Sequence, residues 1–166
     1  RVNCLAQFGF TARRITPTLA DEIHNKGYKA GLWLAPFSAQ FKAEVVKNHP
    51  EWLIKTPKGK NMIGGFAWNG FYVLDIEQPE VRDYIKNVFR VVFDEWGYDM
   101  VKLDFLYSVA IQPRNNKSRG QLMHEAMDFL RECCGDKIIL GCAVPSLVPR
   151  PSSPFRMFRT RFSFLV

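Results

Sequence analysis

Hydrophobic and polar positions alternate most clearly over Gly97-Tyr98-Asp99-Met100-Val101-Lys102-Leu103-Asp104-Phe105-Leu106-Tyr107. Read as a strand, this stretch points Val101, Leu103 and Phe105 to one face and Met100, Lys102 and Asp104 to the other. It therefore carries a lysine and an aspartate on the same side of a backbone apolar enough to be buried. Buried charges are costly unless paired or used. A structural ion pair and a functional site are equally good readings of this strand alone.

Around it the period switches between 3.6 and 2. Thr16-Pro17 offers an N-cap and a first-turn proline, and the helix it opens closes at Gly27. Residues 29–35 read as a buried strand stopped by Pro36, and residues 39–48 as a short helix ended by His49-Pro50. His49 reads as a surface or capping residue. Residues 51–69 read as a loop carrying Trp52, Phe66 and Trp68 among glycines. Those rings suit a carbohydrate platform, since sugar faces stack on them, or serve as apolar plugs under a long loop, the slightly better reading. Residues 71–74 are extended and Asp75 ends them, as a site residue or, more plainly, as the residue that orders the next turn. A long helix over 79–96 presents Val81, Ile85, Val88, Phe89, Val92 and Trp96 on one face. After the central strand come a loop over 108–116, a helix over 118–134 and a nearly all-apolar strand over 137–142.

This wiring predicts an α/β fold with a parallel sheet, whose ligands bind at the carboxyl ends of strands. No G-x-G-x-x-G follows a strand and no phosphate-binding P-loop is present. The expected architecture is a partial (β/α)8 TIM barrel, about half of one.

Composition narrows the partners. The chain has 166 residues and a formal net charge of +7, which invites a nucleic-acid reading. Its distribution removes it: Arg1, Arg13, Arg14, Lys137, Arg150, Arg156, Arg159 and Arg161 lie in two acid-free ends, leaving 15 basic against 16 acidic residues between 19 and 136. A nucleic-acid face needs a basic stripe on a folded element. No run of about 18 apolar residues exists, so no membrane span is expected. The start shows neither an initiator Met nor a signal segment. Cys4, Cys133, Cys134 and Cys142 show no C-x-x-C spacing, so free thiols in a reducing, cytoplasmic compartment are expected and zinc is not.

Five motifs in order carry a resemblance: Gly31-Leu32-Trp33-Leu34-Ala35-Pro36-Phe37, His49-Pro50-Glu51-Trp52, Tyr72-Val73-Leu74-Asp75, Val101-Lys102-Leu103-Asp104-Phe105 and Leu140-Gly141-Cys142. Together, over about residues 19–145, they resemble the catalytic barrel of α-galactosidases of glycoside hydrolase family 36, the melibiase group. The resemblance implies a retaining enzyme acting on terminal α-galactosyl linkages of oligosaccharides such as melibiose or raffinose, without metal or organic cofactor. It makes Asp104 the nucleophile, with Lys102 beside it favouring the ionised carboxylate and holding a sugar hydroxyl. Trp33 resembles the family's sugar-stacking tryptophan and Cys142 the cysteine lining the galactose pocket. Trp68 lies in a family-like loop. A homo-oligomer of the full-length parent stays open.

The departures are as specific. The family's acid/base aspartate lies downstream of the Gly-Cys strand, yet the last acidic residue of this sequence is Asp136. The aspartate pair that binds galactose hydroxyls from an earlier strand is also missing. Residues 1–15 read as an irregular, foreign segment, residues 16–145 as a partial catalytic domain, and residues 146–166, rich in Pro, Ser, Arg and Phe, as a frameshifted or disordered tail. Three readings follow: an α-galactosidase represented by a barrel fragment without its acid/base; a related α-N-acetylgalactosaminidase or galactosyltransferase; or a non-catalytic sugar-binding remnant.

Overall fold

A computed structural model describes residues 17–142. The expected N-cap Thr16 and the segments 1–15 and 146–166 lie outside the described residues. The elements run α1 (Pro17–Asn25), β1 (Gly31–Leu34), β2 (Ser38–Gln40), α2 (Glu44–Asn48), β3 (Ile63–Gly65), β4 (Phe71–Val73), α3 (Pro79–Arg90), β5 (Met100–Leu103), α4 (Arg119–Cys134) and β6 (Ile138–Gly141). Short 3-10 turns stand at Pro50–Trp52, Ala67–Asn69 and Leu106–Ala110.

The strand that alternates in sequence is the middle of a three-stranded parallel sheet, ordered β1-β5-β6. Its register sets Gly31, Met100 and Ile138 in one row and Trp33, Lys102 and Leu140 two residues further on. The intervening rows, Leu32-Val101-Ile139 and Leu34-Leu103-Gly141, are buried. They share one core with Ile85 and Phe89 of α3 and with Leu122, Phe129 and Leu130 of α4. At ~25 cal/mol per Å2 of apolar surface, each such side chain contributes roughly 1.5–3 kcal/mol. Trp33, Met100, Lys102 and Leu140, on the opposite face, stay only half-buried.

A second sheet corrects the expectation of one parallel sheet. The segment read as extended over 71–74 forms β4, which pairs antiparallel with β2 on one side and β3 on the other. The helix expected over 39–48 is a correction too. Its first residues are strand β2, because Ser38, Ala39 and Gln40 face Val73, Tyr72 and Phe71 across a ladder, and only Glu44–Asn48 is helical. The loop expected over 51–69 contains β3, whose glycines allow the ring of Phe71 to lie against the backbone. A Cβ on Gly64 would collide with that ring. The small sheet is inserted between β1 and α3 and is bonded to the chain leaving β1: Leu74 N–H donates to Phe37 O at 2.9 Å.

The long helix over 79–96 is α-helical only to Arg90. It continues as a π turn through Val91–Glu95, with Trp96 N–H donating to Val91 O at 2.9 Å. Val91, Val92 and Phe93 of this turn are all buried. Helix α4 begins as its sequence suggests. Ser118 Oγ accepts from Gln121 N–H at 3.3 Å while Gln121 Oε1 accepts from Ser118 N–H at 2.9 Å, a capping box. Ser118→Ala is expected to destabilise the protein by about 1 kcal/mol, read as a lower urea midpoint at unchanged slope.

Candidate functional site

The parallel ladder carries its bonding one residue past the ends of the strands. Asp104 N–H donates to Leu34 O at 2.9 Å and Cys142 N–H to Leu103 O at 2.7 Å. Both residues are thereby fixed by backbone at the carboxyl ends of β5 and β6, where α/β sheets place ligands. Asp104 is 7% exposed, the most buried ionisable carboxyl of the described residues, and both its oxygens are occupied. Oδ1 accepts the N–H of Phe105 at 2.8 Å, and Oδ2 accepts the indole Nε1–H of Trp33, from the neighbouring strand, at 3.3 Å. Lys102 shares its face with Asp104, yet among the described residues it closes no ion pair within 4.0 Å. The structural ion pair between Lys102 and Asp104 is therefore not formed.

Phe105, directly after the carboxylate, adopts φ 53° and ψ 29°, left-handed backbone that a bulky residue takes only at a cost of about 1–2 kcal/mol. Its ring sits in a cage: the centroids of Trp68, Phe71, Tyr107 and Trp33 lie 4.7, 5.3, 6.3 and 6.5 Å away. Trp68 meets Trp33 edge-on at 5.3 Å, so it braces both residues that hydrogen-bond Asp104. The 67–69 turn presents Trp68 with φ 53°, and Gln40 Nε2 of β2 donates to the Trp68 carbonyl at 2.8 Å. Tyr107 closes the cage, its hydroxyl donating to Gly64 O at 3.0 Å. Burial, with the Asp104 charge adding to it, raises the Tyr107 pKa above that of a free phenol, so the hydroxyl keeps its proton and stays a donor.

Beside this wall lies an ionic cluster. Arg114, Glu77 and Asp75 have side chains only 10%, 14% and 18% exposed. Arg114 Nε stands 3.1 Å from Glu77 and 3.6 Å from Asp75, and its Nη1 donates to Val109 O at 2.7 Å. Lys117 bridges Glu77 at 2.9 Å and Glu125 of α4 at 2.7 Å, and Asn115 Nδ2 donates to Glu77 at 2.6 Å. Burial pushes the Glu77 carboxyl up, but hydrogen bonds from Lys117 and Asn115 and the charges of Arg114 and Lys117 outweigh it and hold Glu77 below its ordinary range. The cluster ties the turn after β4 to the 106–110 turn that carries Tyr107. Asp75 Oδ1 accepts Glu77 N–H at 3.3 Å, so it orders the turn into α3, as the plainer of its two readings has it.

Of the residues singled out in the sequence, Trp33, Trp68 and Asp104 are in direct contact or one ring apart. Lys102 shares the Trp33 row, and Cys142 is one backbone bond from Leu103. The aromatic loop divides: Trp68 packs on Trp33 and Phe105 beside Asp104, Phe66 is 80% exposed, and Trp52 stacks on His49 at 3.9 Å, away from them. Partly exposed His49 also meets Glu51 at 3.1 Å, a surface arrangement. Phe71, Phe105, Tyr107 and Arg114 were not foreseen. The available signal was the pair of glycines, 64 and 65, which admit rings rather than bend a loop. Among the described residues, Cys133 and Cys134 are free thiols whose pKa values burial pushes up to about 12, which makes them poor nucleophiles. No group of three or more His, Cys, Asp or Glu among the described residues is gathered to hold a metal, and none of their helices is long and apolar enough to cross a membrane.

The melibiase family model matches residues 11–130, and the chain belongs to that family. Among curated relatives it is 28% identical over 128 residues to a bifunctional α-galactosidase/sucrose kinase of Mediterraneibacter gnavus, covering 75% of this chain and 13% of that protein. It is 31% identical over 91 residues to α-galactosidase Mel36A of Lactobacillus acidophilus, covering 55% of this chain and 12% of the relative. The chain thus spans about an eighth of the length of these relatives. Among solved structures, an α-galactosidase of Thermus thermophilus in complex with stachyose superposes with a TM-score of 0.69 at 32% identity, over 78% of this chain and 28% of that one. The glycoside hydrolase family 36 α-galactosidase of Geobacillus stearothermophilus, with a TM-score of 0.57 at 23% identity over 80% and 20%, shares the fold.

Proposed function

We propose that this chain is the nucleophile-bearing sector of a retaining α-galactosidase, with Asp104 as nucleophile and α-galactoside oligosaccharides as substrates. One observation carries the reading most directly: among the described residues, a buried carboxylate at the carboxyl end of the middle parallel strand accepts from the N–H groups of Phe105 and Trp33, while the lysine on its face makes no ion pair. A carboxylate so held has both oxygens fixed in direction, as attack on an anomeric carbon requires. The stachyose-bound Thermus relative is consistent with an oligosaccharide substrate.

In this reading Asp104 displaces the leaving oxygen from C1, forming a β-galactosyl ester. A second carboxyl, about 5–5.5 Å away, protonates that oxygen and then activates water, whose attack restores the α configuration. Trp33 and Trp68 stack on the sugar, Lys102 holds a hydroxyl, and Cys142 lines the galactose pocket. No Asp or Glu follows Asp136 in these 166 residues, so this reading assigns the second carboxyl to none of them after the Gly141-Cys142 strand. The half-exposed row of Trp33, Lys102 and Leu140 supports placing β1-β5-β6 as three strands of a (β/α)8 barrel, part of a catalytic domain.

The product's anomer tests the mechanism. Hydrolysis of melibiose by the complete protein, followed by proton NMR, is expected to release α-galactose first. β-Galactose first would exclude a retaining enzyme, and transfer to an acceptor sugar in place of free galactose would favour a galactosyltransferase. A second reading is favoured by the absence of any Asp or Glu after Asp136: the 166-residue chain alone binds galactosides without cleaving them. Turnover by the chain alone would end that reading.

A further inference from the structure

The ring cage does more than offer a surface to a sugar. We infer that Phe105 is a positioning residue for Asp104: its packing holds the left-handed backbone that aims its own N–H at the carboxylate. The inference rests on the proposal that Asp104 is the nucleophile and adds what keeps it in place.

The geometry argues it in three steps. The amide of Phe105 is 2.8 Å from Asp104 Oδ1, a shorter contact than the Trp33 indole makes to Oδ2 at 3.3 Å, so the backbone bond is the closer of the two restraints. That amide belongs to a residue at φ 53°, ψ 29°, and phenylalanine has no intrinsic preference for that region. The side chain supplies what the backbone lacks, meeting Trp68, Phe71, Tyr107 and Trp33 at centroid distances from 4.7 to 6.5 Å. Three of these come from outside β5 and its following turn: Trp33 from β1, Trp68 from the 67–69 turn and Phe71 from β4. The inserted antiparallel sheet thus reaches the carboxylate through the contact of Phe71 in β4 with Phe105. With the chain held on both sides, φ of Phe105 changes only together with ψ of Asp104, so leaving the left-handed region turns the peptide they share and carries its N–H away from Oδ1.

Two variants separate positioning from plain filling of space. Glycine adopts the left-handed region without strain, whereas alanine does not, although alanine fills more volume. In the complete protein with p-nitrophenyl α-galactoside as substrate, Phe105→Ala is expected to lower kcat on the order of 100-fold with KM changed little, and Phe105→Gly to retain several-fold more kcat than Phe105→Ala. Phe105→Asn, tolerant of the same backbone region, should fall with glycine. Thermal midpoints of all three establish that the variants are folded at the assay temperature. Were Phe105→Ala to match or exceed Phe105→Gly in kcat, the ring would be a spacer and the inference would fall. The nucleophile assignment is read separately, from azide rescue of Asp104→Gly. If rescue succeeds and the order of the Phe105 variants is reversed, only the positioning role is lost.

Discussion

Asp104→Gly in the complete protein is expected to lower turnover of an α-galactoside on the order of 10^4-fold or more, and added azide to restore part of it. The expectation follows from what glycine leaves behind. Removing the carboxylate opens space between the Trp33 indole and the Phe105 amide, both of which point N–H groups into it. A small anion finds two donors there and attacks C1 from the face that Asp104 used. The product would be β-galactosyl azide, because a single displacement inverts the α-linked carbon. That configuration is the informative readout, since a variant disabled by misfolding makes no galactosyl azide. Asp104→Asn serves as the folding control. Its side-chain oxygen still accepts one of the two N–H groups, so only one buried donor goes unpaired, at about 1–3 kcal/mol. Turnover within about tenfold of the parent in Asp104→Gly would remove Asp104 from the nucleophile's position.

The sequence shows the parallel half of this fold more clearly than the antiparallel half, for a reason of scale. Helix α4 repeats its apolar positions over four turns, and the central strand alternates apolar and charged from Val101 through Lys102, Leu103 and Asp104 to Phe105, so each pattern outlasts chance. Strands β2, β3 and β4 have three residues each, one and a half periods, and their pairing decides their conformation. Ala39 shows the consequence: it looks helical beside Lys42, Ala43 and Glu44, yet the ladder to Tyr72 makes it extended. The site divides in the same way. Asp104, Lys102 and Trp33 are legible because charge or a large ring at a strand end is unusual in itself. Phe105 is not, because its importance lies in a backbone angle imposed by rings from other segments. Asn115 and Asn116, at φ 50° and 58°, lie in a loop that their residue type announces. Arg114 beside them looks like any surface arginine until the fold brings Asp75 and Glu77 against it.

That arginine sets the second large effect. Glu77→Ala is expected to destabilise the protein by about 3 kcal/mol, because among the described residues it leaves the Arg114 guanidinium, 10% exposed, with Asp75 at 3.6 Å as its remaining counter-charge. Glu77→Gln should cost less, since its amide oxygen can still accept from Lys117 or Asn115. The same pair gives the protein an acid limit. Glu77 titrates below its ordinary range in the folded state, although burial works against it, because Lys117, Asn115 and Arg114 favour its charged form. A carboxyl whose folded pKa lies below its unfolded one contributes stability that is fully present above the unfolded value, near 4.3, and is lost as pH falls through the folded one. Urea midpoints measured from pH 6 down to pH 3 should therefore decline below about pH 4.5, and the decline should be shallower in Glu77→Gln than in the parent. A parallel decline in both would show that other carboxyls set the acid limit. The functional consequence runs through Val109, whose carbonyl Arg114 holds at 2.7 Å in the turn that carries Tyr107. As Glu77 protonates, Arg114 loses its nearest counter-charge and the 106–110 turn is expected to loosen before the parallel sheet does. Amide exchange in residues 106–110 should then rise at a higher pH than exchange in β5, because β5 is bonded on both sides and the turn is not.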